Sequence, residues 1–91
     1  MLRLNCFIRV NAGHRDEALQ AAVRLTEASL RQEGCVAYDI FESATRKDVM
    51  MICETWRDQA ALDAHSASEE FKTEVGILRS ISEMKLETFS F

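Results

Sequence analysis

Three residues in the second half of the chain carry groups that could bind an aromatic molecule and move one of its protons. His65 is the best candidate base, because an imidazole with an ordinary pKa of about 6.5 can accept a phenolic proton at neutral pH. Trp56 closes a strand-like run, where its flat ring could form one wall of an aromatic pocket. Glu54 shares the parity of Trp56 on an otherwise apolar strand face and therefore needs a polar partner.

Each of these side chains also has a structural interpretation. His65 could end a helix and hydrogen-bond its last carbonyl groups, and Trp56 could simply pack in the core. Glu54 could form an ion pair at a subunit interface. His14, beside the turn at Gly13, is interpreted as a solvated loop residue. For the first three residues the sequence leaves both interpretations open.

Two further polar side chains on strand-like runs could hold a substrate. Asn5 faces the same side as Phe7 on the first strand and could bind a substrate oxygen through its amide, although a polar residue in a subunit seam would look the same. Tyr38 could donate its hydroxyl to a ligand, or its hydroxyl could be satisfied within the protein. The predicted catalytic residues are therefore His65, Trp56 and Asn5.

Composition predicts one globular domain spanning residues 1–91. Apolar residues make up 47% and charged residues 29% of the chain, and no Pro/Gly/Ser-rich linker divides it. The net charge of −4, with Lys and Arg scattered singly, gives no basic patch for nucleic acid. No apolar run suits a membrane helix or the core of a signal peptide.

The spacing of the cysteines and glycines indicates the expected cellular location and the cofactors that are not expected. The three cysteines are far apart and lie in apolar runs, so neither a disulfide framework nor a metal site is expected, and the predicted location is the cytoplasm. Gly13, Gly34 and Gly76 are too widely spaced for a phosphate-binding loop. No flavin or nicotinamide cofactor is therefore expected.

The strands are predicted from alternating apolar residues and from runs rich in β-branched and aromatic side chains. A period of two predicts a first strand from Leu2 to Val10. Two further runs form a hairpin around a polar stretch, and alternation returns at the end of the chain. The ranges of these last three strands are Cys35–Glu42, Val49–Trp56 and Met84–Phe91.

Two helical regions separate the strands. Apolar residues at helical spacing predict a helix from about His14 to Glu33, which Gly34 terminates. Asp58 is predicted to cap a short helix. Ser66 and Glu69 then have the spacing of a capping box before a second helical run, so the two pieces act as one broken helix.

The order of elements predicts an α+β fold of ferredoxin-like βαββαβ topology, with both helices on one face of a four-stranded antiparallel sheet. Both parities of the hairpin strands are apolar: on the first of them, for example, Val36, Tyr38 and Ile40 alternate with Cys35, Ala37 and Phe41. Two helices cover only one of these faces. We therefore expect a second copy of the chain to cover the other face, giving a homodimer.

Three segments resemble the antibiotic biosynthesis monooxygenase family of dimeric α+β barrels. They contain Gly-Cys-x-x-Tyr, Glu-x-Trp, Ala-Leu-x-x-His and Ser-x-x-Phe motifs in the family's order. The resemblance implies a cofactor-independent oxygenase that inserts oxygen into, or oxidises, a quinol or polyphenol in an apolar pocket within each subunit. The segments are residues 33–39 (EGCVAYD), 54–65 (ETWRDQAALDAH) and 68–71 (SEEF).

Departures from the family's patterns narrow the range of expected substrate classes. The polyketide-oxidising members have Asn and Tyr where this chain has Ile52 and Leu62, and only Trp56 matches. The haem-degrading relatives are matched roughly by Asn5 but not at their later Trp and His positions. The small quinol-oxidising and autoinducer-processing relatives, which carry a histidine at the position of His65, look closest. The expected substrate-binding residues are Tyr38, Glu54 and Phe71, together with Ile52 and Leu62 at the two positions that differ from the polyketide-oxidising members.

The leading hypothesis is a monooxygenase that acts on a quinol or other small phenolic substrate with dioxygen. One alternative is a stress-associated dimer that binds a small aromatic or carbonyl compound without turnover, because a fold alone does not imply catalysis. The other is an isomerase of a small phosphorylated, sugar-like signalling metabolite, in which His65 would move the proton. Oxygen consumption separates the first hypothesis from the other two.

Overall fold

The computed structural model describes residues 1–91 and confirms the ferredoxin-like α+β fold, with a third helix where the sequence predicted one broken helix. The strands form one antiparallel sheet in the order β2-β3-β1-β4. The elements are β1 (Leu2–Val10), α1 (Arg15–Leu30), β2 (Cys35–Glu42), β3 (Val49–Trp56), α2 (Gln59–Ser66), α3 (Glu69–Ile81) and β4 (Ser82–Ser90).

The sheet divides its side chains between two unlike faces. On the helix face, Leu4, Cys6 and Ile8 of β1 are at most 8% exposed and join one hydrophobic core with side chains of α1 and α3. The intervening residues, Asn5 and Phe7 among them, point away from the helices. Strict alternation along β1 therefore separates a buried face from an uncovered one.

The uncovered side, here called the open face, is defined by Phe7 and Phe41, which both pair with Met51 from opposite sides, and by Asn5, Arg3 and Phe89. Phe7, Phe41 and Phe89 are 42%, 51% and 50% exposed. All three helices pack on the other side, so the expectation of an uncovered, partly apolar sheet face is met. Charged residues of both signs share this face: Arg3, Arg9, Asp39, Glu83, Lys85 and Glu87.

A β-bulge changes the predicted alternation at the start of β2. Cys35 pairs with Trp56 and Ala37 with Thr55, which leaves Val36 as the extra residue, 56% exposed. Cys35 therefore packs against the core on the helix side, whereas parity had grouped it with Ala37. A bulge inserts one residue into the two-residue repeat, so alternation alone cannot follow the chain through it.

Gly34 fixes the close approach of the α1–β2 turn to α2. Its φ of +82° lies in the left-handed region, and a Cβ built there would stand 2.4 Å from the Cβ of Ala61. The predicted helix stop is thus also a packing contact. Gly13 has a similar φ of +84° but open space around it.

The break between α2 and α3 is capped differently from the prediction. Asp58 caps α2 as expected, its side chain accepting a hydrogen bond from the amide of Ala61 at 2.9 Å. The capping box at Ser66 is wrong, because α2 continues through that residue. Ser68 caps α3 instead: its hydroxyl accepts from the Phe71 amide at 3.2 Å and donates to the His65 carbonyl at 2.7 Å.

The end of α1 and the start of the last strand also differ from the prediction. α1 ends at Leu30, and a turn occupies the residues up to Gly34. β4 begins at Ser82, directly after α3, two residues earlier than its alternation indicated. None of the helices combines the length and the apolar character needed to cross a membrane.

Candidate functional site

A cavity of about 220 Å³ lies between the helix face of the sheet and the helices. Ten of its fourteen lining residues are hydrophobic, so it favours an apolar guest over a strongly hydrated one. Arg79 and Leu86 are exposed lining residues and mark its opening beside α3 and β4. Six of the predicted site residues line it: Tyr38, Ile52, Glu54, Leu62, His65 and Phe71.

His65, in the last turn of α2, turns its imidazole into the protein and is only 2% exposed. Its Nδ1 lies 2.8 Å from Oε1 of Gln32, while its Nε2 is buried without a hydrogen-bond partner. Burial lowers the pKa of His65 to about 4, so the ring is neutral at pH 7. The imidazole makes no hydrogen bond to the helix carbonyls, which argues against the helix-capping interpretation.

Aromatic rings hold the imidazole from several sides. The ring centroid of Trp56 is 4.5 Å from that of His65, with 33° between the planes. Phe71 and Tyr38 lie at 5.1 Å and 5.6 Å, with interplanar angles of 76° and 59°. Trp56 is fully buried and stands behind His65 instead of lining the cavity, so it packs in the core and orients the ring at the same time.

Glu54 is a buried carboxyl group facing the cavity, 6% exposed. Its Oε1 accepts a hydrogen bond from the Trp56 indole at 2.9 Å and lies 4.0 Å from Nε2 of His65. Burial raises the pKa of Glu54, and the Trp56 and Tyr38 side chains partly oppose that shift. The interpretation of Glu54 as an interface ion pair is wrong in its location, because even-numbered residues of β3 point toward the helices.

Two other titratable groups of the cavity are held in their protonated forms. Burial, reinforced by Glu54, raises the pKa of the Tyr38 hydroxyl well above its usual range. Burial raises the pKa of the Cys6 thiol to about 11, with Glu54 adding to the shift and Arg79 opposing it. Cys6 is therefore a thiol and not a nucleophilic thiolate at neutral pH. No group of three or more His, Cys, Asp or Glu side chains could hold a metal ion.

Asn5 is not brought together with the other predicted catalytic residues. It lies on the open face, opposite Cys53 of β3 and Glu87 of β4, with the sheet between it and His65. Its Oδ1 is buried without a hydrogen-bond partner. The alternation along β1 already indicated that Asn5 lies on the open face, because Asn5 alternates with the core residues Leu4 and Cys6.

Sequence reasoning missed two polar residues of this region. Arg79 follows Phe71 and Val75 at intervals of four, so helical spacing could have identified it as a cavity residue. Gln32 bonds His65 across 33 positions of sequence, and no local pattern signals that contact. It depends on how the end of α1 packs beside α2.

Known proteins share both the sequence pattern and the fold. A protein of Bacteroides thetaiotaomicron, described as a possible oxidoreductase of unknown function, is 53% identical with a TM-score of 0.96, covering 99% of this chain and 96% of its own. "Putative monooxygenase YcnE" of Bacillus subtilis is 32% identical over 72 residues, 79% of this chain and 76% of that protein. SnoaB, a cofactor-independent oxygenase from Streptomyces nogalater, is 19% identical with a TM-score of 0.88, covering 99% and 91% of the two chains, which shows a shared fold.

The family model described as antibiotic biosynthesis monooxygenase matches residues 1–75. This range contains β1 to α2, most of α3 and every predicted site residue from Asn5 to Phe71. The chain therefore belongs to the antibiotic biosynthesis monooxygenase family.

Proposed function

We propose that the protein is a cofactor-independent monooxygenase that oxidises a quinol or another small phenolic compound with dioxygen inside the helix-side cavity. The observation that carries the proposal is the neutral, buried His65, whose Nε2 has no partner and lies beside an apolar cavity. A buried acceptor without a donor is costly, and a phenolic hydroxyl would supply that donor.

The positions of His65 and Glu54 suit transfer of one substrate proton. A phenolic hydroxyl can donate its single proton to Nε2 of His65 at about 2.8 Å, while Oε1 of Glu54 stands 4.0 Å from the same nitrogen. In this position the hydroxyl donates its proton to Nε2. The phenolate that forms, and the Glu54 carboxylate, favour the imidazolium in a site that is otherwise apolar. The lowered pKa of His65 in the empty cavity is therefore raised during the reaction.

Deprotonation activates the substrate, because an electron-rich quinolate reduces dioxygen more readily than the neutral quinol does. One oxygen atom of dioxygen enters the ring and the other leaves as water, so a quinol C₆H₆O₂ and O₂ give a hydroxyquinone C₆H₄O₃ and H₂O. The four electrons come from the substrate. The Phe71 ring and the neighbouring aliphatic side chains limit the access of water to the peroxide intermediate.

Oxygen uptake with a panel of quinols tests the proposal. We expect equimolar consumption of quinol and dioxygen, with one atom of ¹⁸O₂ in the product and the other in water. His65→Gln should lower kcat by about 100-fold or more, whereas His14→Gln, on the exposed turn before α1, should leave it unchanged.

Other outcomes separate the alternatives. Thermal stabilisation by quinols without oxygen uptake would identify a binding protein and contradict the proposed reaction. An equal rate in His65→Gln and the unsubstituted protein would remove His65 from the mechanism.

We also propose that a second copy covers the open face. Exposed phenylalanines give this face an apolar component, and charges of both signs allow it to complement itself. Sedimentation should give a two-chain particle at low micromolar concentration. Phe41→Glu should yield single chains, while Val23→Glu on the exposed side of α1 should not. A folded single-chain particle without substitution would contradict this arrangement.

The cytoplasmic location stays a prediction from the cysteine pattern.

A further inference from the structure

Gln32 is the only hydrogen-bond partner of the His65 imidazole. It lies in the turn that follows α1, where its backbone amide donates to the Ser29 carbonyl at 3.0 Å and its carbonyl accepts from the Cys35 amide at 3.2 Å. This turn ends at Gly34, whose approach to α2 fixes the separation of the two segments. The side chain of Gln32 is thus presented to His65 by an anchored backbone.

A neutral imidazole carries one proton, on Nδ1 or on Nε2, and its hydrogen bonds decide which nitrogen holds it. The amide oxygen of Gln32 can only accept, so a proton on Nδ1 completes the 2.8 Å hydrogen bond. A proton on Nε2 would leave two acceptors facing each other at that distance. We propose that Gln32 is a positioning residue that holds His65 in the Nδ1–H tautomer and thereby directs the Nε2 lone pair toward the cavity.

The other groups around His65 do not compete for Nδ1. Glu54 from β3 faces Nε2 at 4.0 Å, and as a carboxylate it would draw the proton to that side. Its raised pKa weakens this pull. Tyr38 from β2 and Cys6 from β1 both stay protonated, and Arg79 of α3 lies at the cavity opening.

The tautomer can be read without substrate, from the ¹⁵N chemical shifts of the His65 ring at pH 7. The chain has two histidines, so a His14→Gln sample assigns the signals. We expect Nδ1 at the shift of a protonated nitrogen and Nε2 at that of an unprotonated one. Gln32→Met keeps the length of the side chain but removes the acceptor, and should move the proton toward Nε2. Gln20→Met, at an exposed position of α1, is the matched control.

Gln32→Glu supplies a second variant in which the acceptor is retained. Its carboxylate would accept from the same Nδ1–H and favour the imidazolium, so the proton affinity of His65 should rise at least tenfold. A Nε2–H ring in the unsubstituted protein, or the same tautomer with and without the Gln32 acceptor, would overturn the assignment.

The catalytic consequence rests on the proposed function. Gln32→Met should lower kcat for a quinol about tenfold or more with little change in KM, because the wrong tautomer presents a proton instead of a lone pair. Gln32→Glu should recover most of the rate. An unchanged kcat in Gln32→Met would overturn the positioning role. If no quinol is oxidised at all, the proposed function fails while the ¹⁵N shifts still decide the tautomer.

Discussion

The two faces of the sheet use alternate residues of the same strands and create opposite environments. On the helix face, Glu54 and His65 are buried among aromatic rings, and their pKa values are shifted toward the neutral forms. On the open face, Asn5 is surrounded by half-exposed phenylalanines and by charges of both signs. Residue type alone made all three of them candidates for the substrate site. Strand parity decides which of them can act together.

Exclusion of water separates the two environments chemically. A carboxyl group or an imidazole gains its altered proton affinity from desolvation, which the helices provide on one face only. The charged groups of the open face stay near water unless another chain covers them. The following predictions test this contrast, from the largest expected effect to the smallest.

Closure of the helix face depends on the close contact at Gly34. Gly34→Ala should lower the free energy of unfolding by about 3 kcal/mol, because a Cβ meets Ala61 at 2.4 Å and the positive φ adds strain. Gly13→Ala carries the strain without the contact and should cost about 1 kcal/mol. Urea unfolding measures both variants, and equal losses would contradict the packing role of Gly34.

Burial of His65 should make stability fall in mild acid. Its pKa is about 4 in the folded protein against about 6.5 when unfolded, so only the unfolded chain is protonated between these values. Stability is then complete above pH 6.5 and declines toward pH 4, by on the order of 3 kcal/mol. Glu54 acts in the opposite sense, because a raised folded pKa adds stability as pH falls.

The difference in unfolding free energy between the unsubstituted protein and His65→Gln isolates the histidine from Glu54. Urea titrations from pH 7.5 to 4 should show this difference shrinking or reversing as the pH is lowered. A difference that does not vary with pH would mean that His65 is hydrated in the folded state.

Glu54 and Asn5 offer a matched pair across the sheet. Glu54→Gln preserves the size of the side chain and can still accept from Trp56, but loses the charge that favours an imidazolium at His65. It should lower kcat for a quinol about tenfold. Asn5→Ala should change kcat less than twofold, because the sheet separates it from the cavity. The opposite ranking in oxygen uptake would place the reaction on the open face.

Substitution of Ser68 and of Ser66 tests which serine caps α3, the helix that places Phe71 in the cavity wall. Ser68→Ala removes the N-cap and should cost about 1 kcal/mol in the free energy of unfolding. Ser66→Ala, within the last turn of α2, should be close to neutral. Thermal unfolding of the two variants provides the comparison, and a larger loss in Ser66→Ala would restore the capping box predicted from the sequence.

The elements with simple repeats were predicted well. The bounds of β1, β2 and β3 match because alternation and β-branched runs are local properties of the sequence. Two serines within three positions could both cap α3, and only the continuation of α2 through Ser66 decides between them. The bulge at Val36 likewise breaks a pattern that local counting assumes to be regular.

Sequence reasoning predicted which residues belong to the site better than it predicted how they are arranged. His65, Glu54 and Phe71, all three predicted site residues, line one cavity, and their roles there stay predictions. Asn5 was grouped with them by chemistry against its own parity. Gln32 escaped notice because its contact joins two turns that are distant in sequence, and such contacts follow from the packing of helices and not from their composition.

Methionine methyl groups offer the most direct test of which face binds the substrate. Met84 lines the cavity, while Met51 lies on the open face opposite Phe7. In a ¹³C-methyl NMR titration with a phenol that does not oxidise, the Met84 methyl and the His65 ring signals should shift along one saturation curve while Met51 stays fixed. Saturable shifts at Met51, with Met84 and His65 unmoved, would contradict binding in the helix-side cavity.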